Sequence, residues 1–286
     1  MSPPTRVVDA HVHLWDPART DWYPYLSRPP QGVPTGAGMY RLFDLDTYRT
    51  EAARWHVEKI VNVAAATGPN SVDETLELDA KATERGGPDA IIGGLPPAES
   101  VAEAIGFIDR QMAAPRFRGV RPMGGLARAV PDVDVMRALQ DRNLVFELMT
   151  NPDQLLSAAE DLSSFDDLTV VIEHTGWPRN DSDEERALWS EGMRALAALG
   201  PNVVCKLSGL AMPLGSVRVE ALRPWLEQAI EDFGAERCMF ASNFPVDSGA
   251  GSFDDLYTTF DTVTSGLDAA SRDALFAGTA ERIYRL

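Results

Sequence analysis

Residues 7–15 have the sequence VVDAHVHLW, a β-branched apolar run that ends in two histidines, His11 and His13. Side chains alternate between the two faces of a strand, so both imidazoles point the same way, and Asp9 shares their parity at a deeper position. Imidazoles two residues apart on one strand can hold one cation or one polarised oxygen. The stretch therefore predicts a first strand whose carboxyl end carries chemistry.

Seven further short apolar runs follow, and most are separated by segments with a helical pattern. The eight runs are Val7–Leu14, Val57–Ala65, Ala90–Leu95, Phe117–Met123, Leu144–Thr150, Thr169–Thr175, Asn202–Leu210 and Cys238–Phe244. Such alternation is typical of βαβ units with a parallel sheet. Eight units in 286 residues predict a single (β/α)8 TIM barrel domain over residues 1–286, with an open doubly wound sheet as the alternative.

Composition limits the partners that the protein can have. The net charge of −17 at pH 7 repels phosphate backbones and anionic headgroups, so we expect a small-molecule substrate and no nucleic acid or membrane partner. A homo-oligomer stays open. The amino-terminal residues lack an apolar signal core and no stretch of 18 apolar residues occurs, which predicts a cytoplasmic protein. Cys205 and Cys238 are expected to be buried reduced thiols.

The longest irregular region extends over about residues 16–45 and is rich in proline, glycine and aromatic residues. Loops of this length inside a compact domain are usually lids or binding loops. We therefore expect it to cover the barrel mouth, with Tyr23 among the aromatic side chains that line the substrate pocket. The alternative is a flap that only packs on the barrel.

A third histidine, His174, ends the later run VVIEHTG. The carboxyl ends of all barrel strands open to one mouth, where the active sites of such barrels form. Since the chain has only four histidines, three of them at strand ends favour a common site over chance. We expect His11, His13 and His174 to converge there, whereas Glu173 has the opposite parity and should face the helices.

These motifs resemble those of the amidohydrolase superfamily, in particular its lactonase-like branch. VDAHVHLWDP resembles the opening strand of that branch, and RGVRPM, VIEHTGWP, CKLSGL and ASNFPVD resemble its fourth, sixth, seventh and eighth strand motifs. The resemblance covers nearly the whole chain. It implies a (β/α)8 barrel, hydrolysis of a ring ester or amide, and His11, His13 and His174 as the histidines of the site.

Two positions depart from the pattern of the metal-dependent members. Glu147 stands on the fifth strand, where many of them have histidine or a bridging lysine, and Asn243 replaces the eighth-strand aspartate. An amide cannot be a general base, although its oxygen can bind a cation weakly and its NH₂ can donate. The lactonase-like branch includes enzymes that work without metal. We therefore expect either no required cofactor or one divalent cation such as zinc, held by His11, His13 and His174.

Without a metal, a carboxylate has to activate water. Glu147 is the first candidate because burial among apolar neighbours raises its pKa, and Asp247 is the second. Each has an alternative role: Glu147 in an ion pair with Arg121, and Asp247 as a cap of its loop or of the helix near Ser252.

Four further side chains are candidates for substrate binding. Arg121 can stabilise an oxyanion, with a core ion pair to Glu147 or Asp9 as the alternative. Lys206 in CKLSGL can act similarly. Trp15 and Trp177 each follow a histidine of the site closely, so they are expected to be pocket walls or plain packing residues.

The combined prediction is a hydrolase that opens a small lactone derived from a sugar or an aromatic compound. Water attacks a carbonyl that the three histidines polarise, Glu147 or Asp247 accepts the proton, and Asn243 orients the water or the leaving oxygen. A metal-dependent decarboxylase of the same superfamily and a non-catalytic barrel that binds a small ligand are the alternatives.

Overall fold

The computed structural model describes residues 4–29, 37–123 and 129–286. Its eight strands form one parallel sheet in chain order, each paired with the next. The strands are β1 Val7–Val12, β2 Val57–Val63, β3 Ala90–Leu95, β4 Phe117–Pro122, β5 Val145–Leu148, β6 Val170–Ile172, β7 Val203–Leu207 and β8 Cys238–Phe240.

Helices follow the strands and cover the outer face of the sheet. In the described ranges the α-helices are α1 Leu45–Glu51, α2 Asn70–Arg85, α3 Val101–Gln111, α4 Val133–Asp141, α5 Pro152–Leu162, α6 Asp183–Ala198, α7 Ala211–Leu214, α8 Val219–Phe233, α9 Phe253–Val263, α10 Ala269–Asp273 and α11 Thr279–Tyr284. Serine side chains cap three of them: Ser100, Ser182 and Ser252 each accept from a backbone N–H in the first turn. No described helix has the length and apolar character needed to cross a membrane.

The sheet closes where the segment after β8 meets β1. Val12 and Phe244 form an isolated parallel bridge. The backbone N–H of Asn243 donates to the carbonyl of His11, and that of His13 donates to the carbonyl of Phe244, both at 2.9 Å. This closure confirms the predicted (β/α)8 barrel and excludes the open sheet.

The barrel floor, at the amino ends of the strands, is apolar and plugged by the end of the chain. Val8, Val61, Val145, Val171 and Val204 point inwards there and pack with Ala280, Ile283 and Tyr284 of α11. The hydroxyl of Tyr284 enters the barrel, where it meets a charged layer above the valines. The floor is therefore a packed end, and the barrel opens at its opposite end, where the strands have their carboxyl termini.

Several strands are shorter than the apolar runs that predicted them. β5 ends at Leu148, β6 at Ile172 and β8 at Phe240, so the residues after these points form turns at the mouth. The predicted loop at 16–45 keeps its irregular character on both sides, and an antiparallel bridge between Trp15 and Phe43 joins its two ends. Its central residues 30–36 lie outside the described residues. Cys205 and Cys238 are buried and unpaired, as expected.

Candidate active site

An irregularity in β1 turns His11 into the barrel. The register with β2 shifts between Asp9 and Val12, after Val8 and Ala10 have pointed to the floor. His11 is fully buried, whereas Asp9 faces outwards and accepts from the Tyr48 hydroxyl at 2.9 Å. The expectation that Asp9 shares the parity of the histidines is wrong, because the register shift lets the strand change phase between them.

The three imidazoles meet at the mouth. The ring centroid of His11 lies 4.8 Å from that of His13 and 4.7 Å from that of His174. His13 places Nδ1 2.8 Å from the carbonyl oxygen of Val63, so this nitrogen carries the proton and Nε2 keeps a free lone pair. Nε2 of His11 lies 3.2 Å from that Nε2. Nδ1 of His174 lies 3.1 Å from the hydroxyl of Ser208, which fixes the third ring.

His174 enters the site through a left-handed turn. After β6, residues Glu173–Gly176 form a tight turn in which His174 has φ 54° and Thr175 has φ 55°. Val171 points into the barrel, so alternation also places Glu173 inside, and the turn then brings His174 in beside it. The expectation that Glu173 faces the helices is therefore wrong: it lies inside the barrel among the candidate site residues, and the parity argument missed it. The signal available was its place directly before the histidine, at a strand end.

Glu173 lies among the positive and aromatic groups of the mouth. Its Oε2 lies 3.2 Å from Arg121 and 3.8 Å from Nε2 of His174. Its Oε1 lies 3.8 Å from Nδ1 of His11 and has no hydrogen-bond partner among the described residues. Burial alone would raise the pKa of Glu173, but its interactions with Arg121, His174, Glu147 and Lys206 together outweigh burial and hold the pKa well below the usual range. Glu173 thus stays ionised with one oxygen available.

Glu147 forms a different ion pair from the one expected. Both of its oxygens accept from Nζ of Lys206, at 2.8 and 2.7 Å, and Oε1 also accepts from the Tyr284 hydroxyl at 2.6 Å. All three side chains are fully buried. The alternative of an ion pair between Glu147 and Arg121 is wrong. Lys206 on β7 binds both oxygens of Glu147, and Arg121 binds Glu173 instead.

Arg121 is held at the mouth by Glu173 and by the carbonyl oxygen of Ala64, not by Asp9. Its Nε is buried and has no partner within the described part of the chain. A guanidinium fixed on two sides with one unused N–H is suited to a ligand oxygen.

Asn243 and Asp247 form a pair where the segment after β8 meets β1, and the backbone N–H of Asn243 donates to the carbonyl of His11. Asn243 follows β8 with φ 55°, and its Nδ2 donates to Oδ1 of Asp247 at 3.1 Å. Its Oδ1 is buried with no partner among the residues that the structure describes. Burial raises the pKa of Asp247 to about 7, although hydrogen bonds from Asn243 and the backbone after β7 partly offset this. Asp247 does not cap α9, because Ser252 does so together with Asp255.

Aromatic residues surround the imidazoles. Trp15 stacks on His13 with a centroid distance of 5.3 Å, and Trp177 meets His174 edge to face at 5.6 Å. Tyr23 instead donates its hydroxyl to Glu74 on α2, at 2.8 Å. Tyr25, which the sequence argument did not single out, is 40% exposed and lies edge-on to Trp15. The structure thus brings Trp15 and Trp177 to the imidazoles and directs the hydroxyl of Tyr23 towards α2.

Burial keeps the imidazoles neutral. Burial and the charge of Arg121 lower the pKa of His13 to about 3, and the same effects lower that of His174 to about 4. Burial and Lys206 lower the pKa of His11. At neutral pH these rings can therefore offer a lone pair or an N–H group, but they are not a reservoir of acidic protons.

One group of side chains fits a metal ion. Ligand atoms of His11, Glu173 and His174 lie within 4.8 Å of one another, and all three residues are buried. Two imidazoles and a carboxylate are a donor set that zinc takes, and the unpartnered Oε1 of Glu173 is free to act as a ligand. This group differs from the predicted set because Glu173 takes the place of His13.

Comparison with known proteins gives an end-to-end match. A model of the family described as amidohydrolase matches residues 8–286. An uncharacterised protein of Sinorhizobium fredii, y4mH, is 32% identical, with 98% of each chain covered. An L-fucono-1,5-lactonase of Burkholderia multivorans is 30% identical over 98% of this chain and 96% of its own, and that of Burkholderia ambifaria is 31% identical over 98% and 95%.

The fold also matches solved structures. An amidohydrolase from Burkholderia multivorans with bound zinc superposes with a TM-score of 0.80 at 29% identity, covering 99% of this chain and 100% of its own. A 5-carboxyvanillate decarboxylase from Sphingomonas paucimobilis superposes with a TM-score of 0.67 at 16% identity, over 98% and 99% of the two chains. The second likeness is one of fold alone.

Proposed function

Since this chain belongs to the amidohydrolase family, we propose that it is a lactonase, which opens a small cyclic ester derived from a sugar or an aromatic compound. One observation carries the reaction type: a buried carboxyl group with a pKa of about 7, Asp247, is bonded to the amide of Asn243, whose own oxygen is unpartnered among the described residues and whose backbone N–H donates to the carbonyl of His11. Attack of water on an ester needs a base of this kind next to groups that polarise a carbonyl. The two L-fucono-1,5-lactonase relatives support the substrate class.

The carbonyl oxygen is proposed to bind between the imidazoles and Arg121. The unused Nε–H of Arg121 and an imidazole N–H are donors that a developing oxyanion would satisfy. Removing one such donor from an enzyme typically raises the barrier by about 3–4 kcal/mol. Because Glu173 and the carbonyl of Ala64 already fix the guanidinium, little reorganisation accompanies the attack.

Asp247 is proposed as the general base in preference to Glu147. Lys206 and Tyr284 occupy both oxygens of Glu147 in the layer above the floor. Asp247 accepts from the amide of Asn243 and from backbone N–H groups after β7, but it forms no ion pair among the described residues. The unpartnered Oδ1 of Asn243 can accept a hydrogen bond from one O–H of the attacking water, while Asp247 takes the proton of the other O–H. The proton on Asp247 then passes to the ring oxygen as the ester bond breaks.

A metal ion, if bound, would be held by His11, Glu173 and His174 and would supply Lewis-acid polarisation of the carbonyl. The solved Burkholderia multivorans structure with zinc supports this possibility at 29% identity. The roles of Asp247, Asn243 and Arg121 are the same with or without the ion.

The test is a panel of 1,4- and 1,5-sugar lactones and 2-pyrone carboxylates, with ring opening measured by proton release and corrected for the uncatalysed rate. We expect turnover of at least one lactone, lost in His174→Ala. The matched control is His56→Ala, which changes an exposed histidine bonded to the carbonyl of Thr5. If no lactone reacts but an aromatic carboxylate releases CO₂, the decarboxylase replaces this proposal. If neither reacts yet a lactone binds, the barrel is a binding protein.

A further inference from the structure

Four buried side chains form a continuous column from the barrel floor to the mouth. The Tyr284 hydroxyl contacts Glu147, Glu147 binds Lys206 through both oxygens, and Nζ of Lys206 lies 3.5 Å from Nδ1 of His11. Each side chain is fully buried. We call these four residues the column. It connects the last helix with the centre of the site without reaching solvent.

Lys206 determines which nitrogen of His11 carries the proton. An ammonium group has three N–H donors and no lone pair. Two of the donors are directed at Glu147, and the third faces Nδ1 of His11. Nδ1 therefore acts as the acceptor and Nε2 carries the proton. That proton points to Nε2 of His13, whose own Nδ1–H donates to the carbonyl of Val63. The hydrogen bonds thus all donate in one direction, from Lys206 through His11 and His13 to the carbonyl of Val63 on β2.

A metal ion would compete with Lys206 for His11. The nitrogen of His11 that faces Glu173 is Nδ1, at 3.8 Å from Oε1, so an ion in the His11, Glu173 and His174 group would need the lone pair that Lys206 uses. If the ion took Nε2 instead, the proton would move to Nδ1 and point at the N–H of Lys206. In both cases a positive charge also lies next to the ion, in a buried site where charge repulsion is weakly screened.

We infer that Lys206, held by Glu147 and Tyr284, is a positioning residue that keeps His11 in its Nε2–H form and thereby sets the zinc affinity of the His11, Glu173 and His174 group. The inference rests on the metal group of the proposed site, but it does not depend on which bond the enzyme breaks. How strongly Lys206 opposes zinc binding depends on how firmly Glu147 and Tyr284 hold its ammonium group in place.

Zinc affinity measured by competition with a chelating dye tests the inference without any turnover assay. We expect Lys206→Met to bind zinc at least about tenfold more tightly than the unmodified protein, the size typical of changes next to metal ligands. The double variant Lys206→Met/Glu147→Gln removes one positive and one negative charge together. It therefore tests the effect of freeing the Nδ1 lone pair of His11 at an unchanged net charge. It should also bind more tightly, whereas Glu147→Gln alone should bind more weakly.

The matched control is Lys59→Met/Glu281→Gln. It removes another lysine–glutamate pair, 3.3 Å apart and partly exposed, whose glutamate also binds Arg6, and neither residue touches an imidazole of the site. Its zinc affinity should stay within twofold. Circular dichroism at 25 °C checks that each variant is folded, and the double variant keeps the test usable if Lys206→Met unfolds.

A second measurement reports the tautomer directly. Side-chain ¹⁵N NMR of zinc-free protein should show His11 protonated at Nε2, and Tyr284→Phe should introduce a detectable Nδ1–H population. A folded double variant that binds zinc no more tightly than the unmodified protein, or Nδ1–H as the main form of His11 in that protein, overturns the inference. A protein without lactonase activity would leave both readouts intact.

Discussion

Two buried glutamates on neighbouring strands of one barrel have opposite surroundings. Glu147 on β5 and Glu173 directly after β6 are both fully buried and both point inwards. Lys206 and Tyr284 partner both oxygens of Glu147, whereas one oxygen of Glu173 has no partner among the described residues. A buried unsatisfied polar group costs about 1–3 kcal/mol. The fold therefore satisfies its polar groups in the layer above the floor and tolerates the cost at the mouth.

The two surroundings also shift the pKa values of the two carboxyl groups in opposite directions. Burial raises the pKa of Glu147 because it outweighs the attraction of Lys206. For Glu173, Arg121 and the other polar groups around it together outweigh burial and lower the pKa. Arg121 Nε and Asn243 Oδ1 are further buried atoms without partners in the described ranges, and both belong to the mouth. Gln140, Asp232 and Tyr257 on the helices α4, α8 and α9 also have buried atoms without partners among the described residues. A missing partner therefore suggests a ligand only in combination with a position at the mouth, as for Glu173, Arg121 and Asn243.

The largest effect is expected at Asp247. Asp247→Asn should lower kcat/KM for a lactone by about 10³-fold, within the range for removal of a general base. In the unmodified protein, activity should fall as the pH drops through about 7, because protonated Asp247 cannot accept a proton. The variant should lose this acidic limb of the pH–rate profile.

Asp9→Asn is the control for this change. Asp9 is equally buried, but it contacts Tyr48 and the backbone N–H groups of Ser242 and His11, so its variant should keep the acidic limb of the pH–rate profile even if turnover falls. A retained acidic limb in Asp247→Asn would show that another group is the base. Stability adds a check: the folded-state pKa of Asp247 lies above the ordinary aspartate value of about 3.9, so this carboxyl contributes less stability as the pH rises from about 4 to 7.

A smaller loss is expected at the mouth glutamate. Glu173→Gln keeps the shape but removes the charge that holds Arg121 and the carboxylate that faces His11 and His174. Turnover should fall by about 10²-fold, and kcat should change more than KM because the guanidinium is then less well placed in the transition state. Steady-state kinetics on the best lactone measure this. Near-native kcat would mean that turnover depends no more on Glu173 than on Glu147, contrary to the contrast between the two residues.

The sequence predicted the barrel well because its evidence is repeated along the chain. Eight apolar runs each coincide with one strand, although β5, β6 and β8 are shorter than predicted. Strand ends were harder to predict, because the turn chemistry that stops a strand is local. The convergence of His11 and His174 followed from their places at strand ends, a property of topology that needs no side-chain detail.

The parity arguments failed at two irregular points. A register shift separates Asp9 from His11, and a left-handed turn separates Glu173 from His174. Neither feature is written in the alternation of residues, since non-glycine residues rarely adopt positive φ. The pairing of Glu147 with Lys206 joins residues 59 positions apart and depends on which cation reaches it first across the barrel. Such choices follow from three-dimensional distances that no local pattern contains.

Two glycines of similar backbone conformation allow a comparison between a position next to His174 and a position away from the candidate site. Gly209 has φ +67°, and a Cβ there would lie 2.4 Å from the ring of His174, whereas Gly215 has φ +64° with nothing within 4 Å. Both changes to alanine should cost about 1–2 kcal/mol for the left-handed backbone. Only Gly209→Ala should also displace His174, and we expect about tenfold lower kcat, as for other changes that misplace a site residue. Equal turnover in both variants would mean that the position of this ring is not critical.

The smallest effect on turnover is expected at Glu147, where stability changes instead. Glu147→Gln leaves Lys206 buried without its carboxylate, and breaking a buried ion pair costs about 3–5 kcal/mol. Because Glu147 acts on the site only through Lys206 and the tautomer of His11, kcat at 25 °C should fall by less than about tenfold once the folded fraction is corrected for by urea denaturation. Glu173→Gln should lose more turnover than stability, because Arg121 keeps its bond to the carbonyl of Ala64 and lies at the mouth. A loss of 10²-fold or more in folded Glu147→Gln, together with loss of an ionisation from the pH–rate profile, would return the base role to Glu147 and make the layer above the floor part of the reaction.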